Sequence, residues 1–145
     1  MSDRVEAVEL AGVPAERFEF HLCTLVVAAP APWILATQVA GLGSIEMVEQ
    51  VIAFGDGLLE SVPRIQIFHD FSAVTGYPAE ARRKLVGWGV QRRDKILSTN
   101  VLFKSKVVAM GTSLATMLLP GQINGFARLH EFERARDAAV AAQPS

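Results

Sequence analysis

The sequence predicts an α/β protein with a mixed, mostly parallel sheet and helices packed on it, in the order β-β-α-β-α-β-α-β-α. Two observations carry this prediction. Short runs rich in β-branched and aromatic residues alternate with longer segments of helical periodicity, and proline and glycine mark the boundaries between them. Strands that alternate with helices pair in parallel, because each helix crosses the sheet and returns the chain in the same direction.

The N-terminal part is predicted to supply two antiparallel strands. Residues 1–15 are expected to be a loose leader, with a short strand near residues 5–10, and a single domain covers residues 16–142. Residues 17–28 alternate between apolar and polar side chains, as a strand does. Residues 33–40 form the second strand, and the APAP segment between the two ends the first because proline cannot donate to a β-ladder.

An amphipathic helix is predicted after the GLGS segment. Ser44 is placed to cap it by accepting a hydrogen bond from an amide of the first turn. Ile45, Val48 and Ile52 fall on one face at helical spacing, while acidic residues take the other face. Gly55 is expected to weaken the end of this helix by about 1 kcal/mol.

A strand, a loop and a second helix follow. Residues 64–71 are a short apolar run typical of a central strand, and residues 72–78 (SAVTGYP) form the loop. The second helix is predicted over residues 79–97. Pro78 suits its first position, where a missing amide hydrogen costs nothing, and Glu80 suits the positive end of its dipole.

The C-terminal part is predicted to add two strands and two helices. Residues 100–104 form a strand, and Ser105 is placed to cap a third helix. The β-branched residues that follow Ser105 favour a longer strand instead, so this boundary is left open. Residues 126–129 form the last strand and residues 130–142 the closing helix.

Composition favours a folded cytoplasmic protein. Half of the 145 residues are hydrophobic and 20% are charged, which is unlike a disordered chain. The single cysteine, Cys23, cannot form an internal disulfide, which favours a reducing compartment, and no helix N terminus or basic residue is predicted beside it to activate it. The apolar stretch 22–36 is too short to cross a bilayer and too far from the N terminus for a signal peptide.

Positive charge is concentrated in one window of the chain. Residues 82–106 hold eight Lys or Arg and one acid, a net charge of +7, whereas the rest of the chain carries −8. This basic block is either a solvated surface or a docking surface for an acidic protein or anionic lipid. Nucleic acid is disfavoured, because the whole chain has a net charge of −1 and Trp88 is the only aromatic residue interleaved with the helical bases. The basic block consists of Arg82, Arg83, Lys84, Arg92, Arg93, Lys95, Lys104 and Lys106.

Two segments resemble a known family. DFSAVTGYPAEAR, residues 70–82, resembles a strand-end Asp–hydrophobic–Ser followed by a loop into a helix, and FARLHEFERARDAA, residues 126–139, resembles a final strand and closing helix. Both are similar to the STAS family, and in particular to its SpoIIAA-like branch of anti-sigma-factor antagonists and other small bacterial proteins. The resemblance covers about residues 17–140 and implies the SpoIIAA-like fold and a non-enzymatic regulatory role.

The switch serine of the antagonists has no counterpart here. In those proteins a partner kinase phosphorylates a serine just before the second helix, where this chain has Pro78, Ala79 and Glu80. Glu80 supplies a fixed negative charge, although a carboxylate has fewer charges and acceptors than a phosphate. Ser72 and Thr75 are the hydroxyl residues nearby, and whether either is phosphorylated stays open.

The resemblance implies a partner-binding surface at this loop and the start of the second helix. Asp70 is expected to organise the loop, because a carboxylate at a strand end accepts loop amide bonds. Tyr77 is the aromatic contact, Glu80 the fixed charge, and Arg82 and Arg83 the electrostatic rim. The predicted partner-binding residues are Ser72, Thr75, Tyr77, Glu80, Arg82 and Arg83.

No catalytic, cofactor-binding or metal-binding residues are predicted. His69 and Asp70 are neighbours on a strand, so their side chains point to opposite faces of the sheet. His21 and His130 lack the spacing of metal ligands. GLGS precedes a helix, as a nucleotide-binding turn does, but Glu46 stands where the third glycine belongs and repels phosphate.

Three functional hypotheses follow. The first is a regulatory module that binds an acidic protein, such as a kinase-like or sigma-pathway protein. The second is a small-ligand or lipid-binding protein, and the third is an enzyme that uses His69 and Asp70. Oligomeric state is left open, including a dimer formed through an exposed first strand. The residues expected to line the pocket of the second hypothesis are Phe103, Met110, Met117 and Leu118.

Overall fold

The computed structural model describes residues 5–106, 108–109, 112, 119 and 121–142, and these include a seven-stranded sheet. The strands lie side by side in the order in which they occur in the chain. They are β1 (Val5–Leu10), β2 (Val13–Glu19), β3 (Cys23–Ala31), β4 (Ile34–Leu42), β5 (Ile65–Gly76), β6 (Ile96–Leu102) and β7 (Ile123–Phe126). The helices are α1 (Ile45–Leu59), α2 (Ala79–Gln91) and α3 (Leu129–Ala141).

The sheet is mixed, and the predicted α/β class is confirmed. The pairings from β1 to β4 are antiparallel and those from β4 to β7 are parallel. Helices α1 and α2 are the crossovers that make the first two parallel pairings, because a parallel strand can be reached only after the chain has travelled back along the sheet.

The described part of the N-terminal segment forms strands rather than a loose leader. β1 and β2 form a hairpin, and β2 begins at Val13, inside the segment predicted as leader. The strand predicted over residues 17–28 is also divided, because the chain turns after Glu19 and Phe20 N donates to Cys23 O at 2.8 Å. The sequence prediction missed this hairpin because its turn, Ala11–Gly12, is not one of the asparagine–glycine or aspartate–glycine pairs that mark tight turns.

The second helix is shorter than predicted. α2 ends at Gln91 rather than at residue 97, and Lys95 N then donates to Arg92 O at 2.8 Å in a turn. β6 consequently begins at Ile96 rather than at residue 100. Gly87 and Gly89 lie in the last two turns of α2, where glycine lowers helix stability.

For the remaining elements, the predicted helix boundaries agree better with the structure than the predicted strand boundaries do. Ser44 Oγ accepts from Met47 N at 3.2 Å, which confirms the cap of α1. Ser105 Oγ accepts from Val108 N at 3.1 Å, as a helix cap does. The end of the segment that follows Ser105 lies outside the described residues. β7 ends at Phe126, where the predicted strand was expected to begin, and α3 starts at Leu129, one residue earlier than predicted.

Both faces of the sheet are covered. On one face α1 and α2 pack over a large apolar core that includes Leu25, Leu35 and Ile67. On the other face α3 lays Phe132 across Phe68, with ring centroids 5.8 Å apart in an edge-to-face arrangement. This double covering explains why Ile67 and Phe68, which point to opposite faces of β5, are both buried.

The contact between α1 and α2 depends on Gly55. Trp88 of α2 is buried against α1, and a β-carbon at Gly55 would lie 2.6 Å from Cη2 of its ring. Trp88 Nε1 donates to Asp56 Oδ1 at 2.9 Å, so the next residue of α1 satisfies the indole. Sequence analysis treated Gly55 as a weak point of the helix. Because Gly55 has no side chain, it leaves the space that the indole fills.

Replacing Gly55 by alanine is expected to destabilise the protein. The added methyl group overlaps the buried Trp88 ring, and overpacking of this kind costs about 1–3 kcal/mol. Gly57→Ala is the matched control, because no atom lies within 4 Å of the added methyl group and alanine favours the helix by about 1 kcal/mol. Urea unfolding of the two variants should therefore give shifts of opposite sign, and equal shifts would contradict this packing.

Replacing Ala11 by asparagine is expected to stabilise the β1–β2 hairpin. Ala11 has φ 57° and Gly12 has φ 77°, as in the two central residues of a type I′ turn. An alanine pays a steric penalty in this region, whereas asparagine tolerates it, so Ala11→Asn should gain about 0.5–1 kcal/mol. Thermal unfolding of wild type, Ala11→Asn and Ala11→Val measures their relative stability. Ala11→Asn should unfold at the highest temperature and Ala11→Val at the lowest.

Candidate interaction surface

Residues 72–76 belong to a strand rather than to a loop. β5 continues to Gly76 and stays paired with β4, where Ala73 lies opposite Ala40 and Gly76 opposite Leu42. The register shifts twice along this extension, which marks irregular pairing. The connection from β5 to α2 therefore consists of Tyr77 and Pro78 alone, and the predicted loop is much shorter than expected.

Asp70 makes local contacts within β5. Its Oδ1 accepts from Ser72 N at 3.0 Å and from Ser72 Oγ at 2.6 Å. These bonds fix the direction of the chain just before the irregular pairing begins. The Ser72 side chain is half-buried and engaged with Asp70, whereas Thr75 is exposed.

His69 points to the opposite face from Asp70. It is 2% exposed, its Nδ1 lies 2.7 Å from Thr37 Oγ1, and its ring stacks on Phe71 at a centroid distance of 4.8 Å. Burial lowers the pKa of His69 to about 3, so the ring is neutral at physiological pH. Asp70 lines a groove against α3 instead, so the two side chains do not meet on one substrate atom.

The predicted contact residues differ in exposure. Glu80 and Arg83 are exposed in the first turns of α2, while Tyr77 and Arg82 are half-buried. Burial raises the pKa of Tyr77, and the nearby charge of Arg82 partly opposes the rise. Neither Arg82 nor Arg83 forms an ion pair with any residue in the described ranges.

Two leucines extend this surface. Leu22 is 56% exposed and Leu42 is 41% exposed, and Leu42 N donates to Leu22 O at 2.9 Å, so the two are neighbours. Leu42 also lies opposite Gly76 in the β4–β5 pairing. The leucines therefore adjoin the β5–α2 connection. Together they form what we call the strand-end surface: Leu22, Leu42, Thr75, Tyr77, Pro78, Glu80, Arg82 and Arg83.

The leucines of the strand-end surface were missed by sequence analysis. Leu22 lay inside the strand predicted over residues 17–28, and Leu42 lay in the GLGS segment examined for phosphate binding. Their proximity depends on the β3–β4 pairing, in which Cys23 lies opposite Gly41. An apolar residue beside a turn was the available signal, and it is weak because single exposed leucines are common.

Part of the basic block holds α2 against α1. Lys84 Nζ lies 3.2 Å from Glu49 Oε2, and Arg92 Nε lies 2.9 Å from Asp56 Oδ1. Burial of Asp56 opposes ionisation, but hydrogen bonds from Arg92 and Trp88 outweigh it, so the pKa of Asp56 lies below its usual value. These two bases have structural partners. The exposed bases of the block that form no ion pair within 4 Å among the described residues are Arg83, Arg93, Lys95, Lys104 and Lys106.

The GLGS segment builds a helix start. Gly43 is buried beneath Tyr77, where a β-carbon would lie 3.0 Å from Tyr77 Cβ. Cys23 Sγ lies 3.8 Å from Ser44 Oγ, so the cysteine does sit at a helix N terminus, contrary to the sequence interpretation. Burial nevertheless raises the pKa of Cys23, and the charge of Glu46 adds to the rise, so its thiol is not activated.

Only one of the four residues expected to line a ligand pocket lies in the described part of the chain. Phe103 is half-buried and packs on the core beneath α1 and α2. Met110, Met117 and Leu118 lie outside the described residues.

Comparison with known proteins identifies the fold. An uncharacterized protein of the DUF3478 family from Shewanella loihica, described as having a SpoIIAA-like fold, superposes with a TM-score of 0.60 at 16% sequence identity. The match covers 81% of this chain and 95% of the other. This chain has a SpoIIAA-like fold. No protein-family model matches the sequence, and no curated protein sequence does.

The SpoIIAA-like neighbour carries no stated activity, so the likeness supports the architecture alone. In the described part of the chain, no helix is both long enough and apolar enough to cross a membrane.

The buried His69 is expected to make the protein acid-sensitive. Because its folded pKa of about 3 lies below the ordinary value of 6.5, the unfolded state takes up a proton that the folded state does not. The contribution of His69 to the free energy of unfolding is therefore complete above about pH 6.5. It is lost progressively between there and pH 3, with a slope that approaches about 1.4 kcal/mol per pH unit.

Chemical unfolding between pH 7 and pH 4 measures this slope. The His69→Gln variant should lose the histidine contribution, while His21→Gln, which changes an exposed side chain, should keep the wild-type slope. Carboxylates affect all three proteins alike, so the difference between variants isolates His69. Parallel curves for wild type and His69→Gln would contradict a neutral buried imidazole.

Proposed function

We propose that this protein is a non-enzymatic regulatory module that binds an acidic protein segment through the strand-end surface. The observation that carries this proposal is the pair of neighbouring exposed leucines, Leu22 and Leu42, beside the β5–α2 connection. The helix that follows this connection carries Arg82 and Arg83, which have no ion-pair partner among the described residues. An apolar centre with a charged rim is the usual composition of a protein interface. The single cysteine makes the cytoplasm our proposed location.

The apolar part of the strand-end surface supplies affinity. Leu22 and Leu42 are two of the four large hydrophobic side chains that are exposed among the described residues. They are adjacent, whereas a single exposed leucine needs no explanation. Burying both against a partner stabilises the complex by about 25 cal/mol for each Å² of apolar surface that is removed from water.

The charged part of the strand-end surface supplies selectivity. Arg82 and Arg83 lie in the first half of α2, whose N terminus also carries positive partial charge. Lys84, by contrast, is engaged with Glu49 and contributes less. An acidic partner therefore meets complementary charge, which raises the association rate and makes binding dependent on salt.

Regulation by phosphorylation at the start of α2 is not part of this proposal. Pro78 occupies the cap position and Glu80 is exposed in the first turn, so no hydroxyl stands where the antagonists carry their switch serine. Glu80 gives the surface a fixed charge. The resemblance to the antagonists makes a kinase-like or sigma-pathway protein the first partner to examine.

Charge reversal at the rim is expected to weaken partner binding at least tenfold. Arg82→Glu/Arg83→Glu replaces two attractive charges by two repulsive ones. Arg93→Glu/Lys95→Glu is the matched control, because it makes the same charge change at exposed positions beyond the other end of α2. A partner is captured by pull-down and identified, and its affinity is then measured with the purified proteins at two salt concentrations.

A second pair of variants tests the apolar part of the surface. Leu22→Ser/Leu42→Ser should also weaken binding, but without reducing its salt dependence. Circular dichroism establishes that each variant is folded. Recovery of the same partner in equal amounts by wild type, the arginine variant and the leucine variant would remove the strand-end surface from the interaction.

A further inference from the structure

A small cavity lies between α2 and the sheet on the face that His69 occupies. Its volume is about 60 Å³, and it is partly open to solvent. Most of its wall is apolar. The apolar side chains that matter here are Ile67, Leu85, Val86, Trp88, Val101 and Leu119.

His69 lines this cavity. Its Nδ1 lies 2.7 Å from Thr37 Oγ1, while Nε2 makes no hydrogen bond with any residue in the described ranges. In the tautomer in which Thr37 donates to Nδ1, the neutral ring carries its own proton on Nε2, where it can donate to a ligand oxygen.

Arg82 lines the same cavity. Its guanidinium has no ion-pair partner among the described residues, and it lies near enough to Tyr77 to influence the phenol. The cavity therefore combines a mostly apolar wall with the His69 ring, the positive charge of Arg82 and the hydroxyl residues Tyr77, Thr99 and Thr112. A ligand that matches this wall has a short apolar part and an anionic oxygen acceptor.

The volume limits the apolar part. A cavity of about 150 Å³ holds benzene, so about 60 Å³ encloses two or three carbon atoms, with the remainder of a ligand in the open mouth. A lipid acyl chain is much larger than this space. Inorganic phosphate or sulfate has no apolar part to match the wall.

We propose that this cavity binds a small monocarboxylate of about two to four carbons, with its chain among Leu85, Val86 and Trp88 and its oxygens meeting His69 and Arg82. This goes beyond partner docking, because the cavity shares only Tyr77 and Arg82 with the strand-end surface. It gives the protein a ligand site on the face covered by α2. The site requires no covalent step.

Titration of the purified protein with butyrate tests the proposal. With ¹⁵N-histidine labelling, the Nε2–H signal of His69 should shift and saturate. Neutral butyramide, which has the same length, should bind at least tenfold more weakly, and inorganic phosphate should leave the signal unmoved. A His69 signal that does not respond to butyrate, or equal binding of butyrate and butyramide, overturns the proposal.

Two variants locate the site. Arg82→Gln should weaken butyrate binding at least tenfold, whereas Arg83→Gln, which changes an exposed neighbour that does not line the cavity, should leave it within twofold. Val86→Phe fills the cavity and should abolish binding. If that variant fails to fold, Arg82→Gln decides the outcome, and an unchanged affinity in Arg82→Gln overturns the site.

Failure of this site is distinguishable from failure of partner docking. The titration uses the isolated protein without any partner. Leu22→Ser/Leu42→Ser should bind butyrate normally, because neither leucine lines the cavity.

Discussion

The fit of the Trp88 indole against Gly55 is the contact on which the arrangement of α2 depends. The glycine lets the ring reach the surface of α1, and Asp56 then accepts from the indole and from Arg92 at the same point. One end of α2 is thereby fixed on α1, with Lys84 and Glu49 making a second link further along. The other end of α2 starts shortly after β5, where Glu80 is exposed and Ala81 is buried. The proposed partner surface begins at this end, and the cavity lies beneath the same helix.

Much of the fold was accessible from sequence because helix signals are local. Ser44 before an apolar stripe correctly predicted the start of α1, and the run after Phe126 predicted α3 to within one residue. Strand boundaries were harder, because the end of a strand depends on its neighbour. β5 extends to Gly76 since β4 offers it a partner, and nothing within SAVTG itself announces that pairing.

The candidate site shows the same division between local and long-range information. The separation of His69 from Asp70 follows from the alternation of a strand and was predictable. The hydrogen bond between His69 Nδ1 and Thr37 was not, because Thr37 lies on the adjacent strand β4. The role of Gly55 was likewise invisible, since a glycine that admits an indole and a glycine that weakens a helix look the same in sequence. The interpretation of the basic block also changed in part, because two of its eight bases, Lys84 and Arg92, serve the interface between two helices.

The short contact between Ser72 Oγ and Asp70 Oδ1, 2.6 Å, has a consequence for covalent regulation. A phosphoryl group on that oxygen would place a dianion directly against a carboxylate, in a half-buried position where water screens poorly. The strand would have to break its own bond to accommodate the modification. Ser72 is therefore a poor acceptor for any kinase that acts on the folded chain, and Thr75, which faces solvent, is the hydroxyl of this segment that such an enzyme could reach.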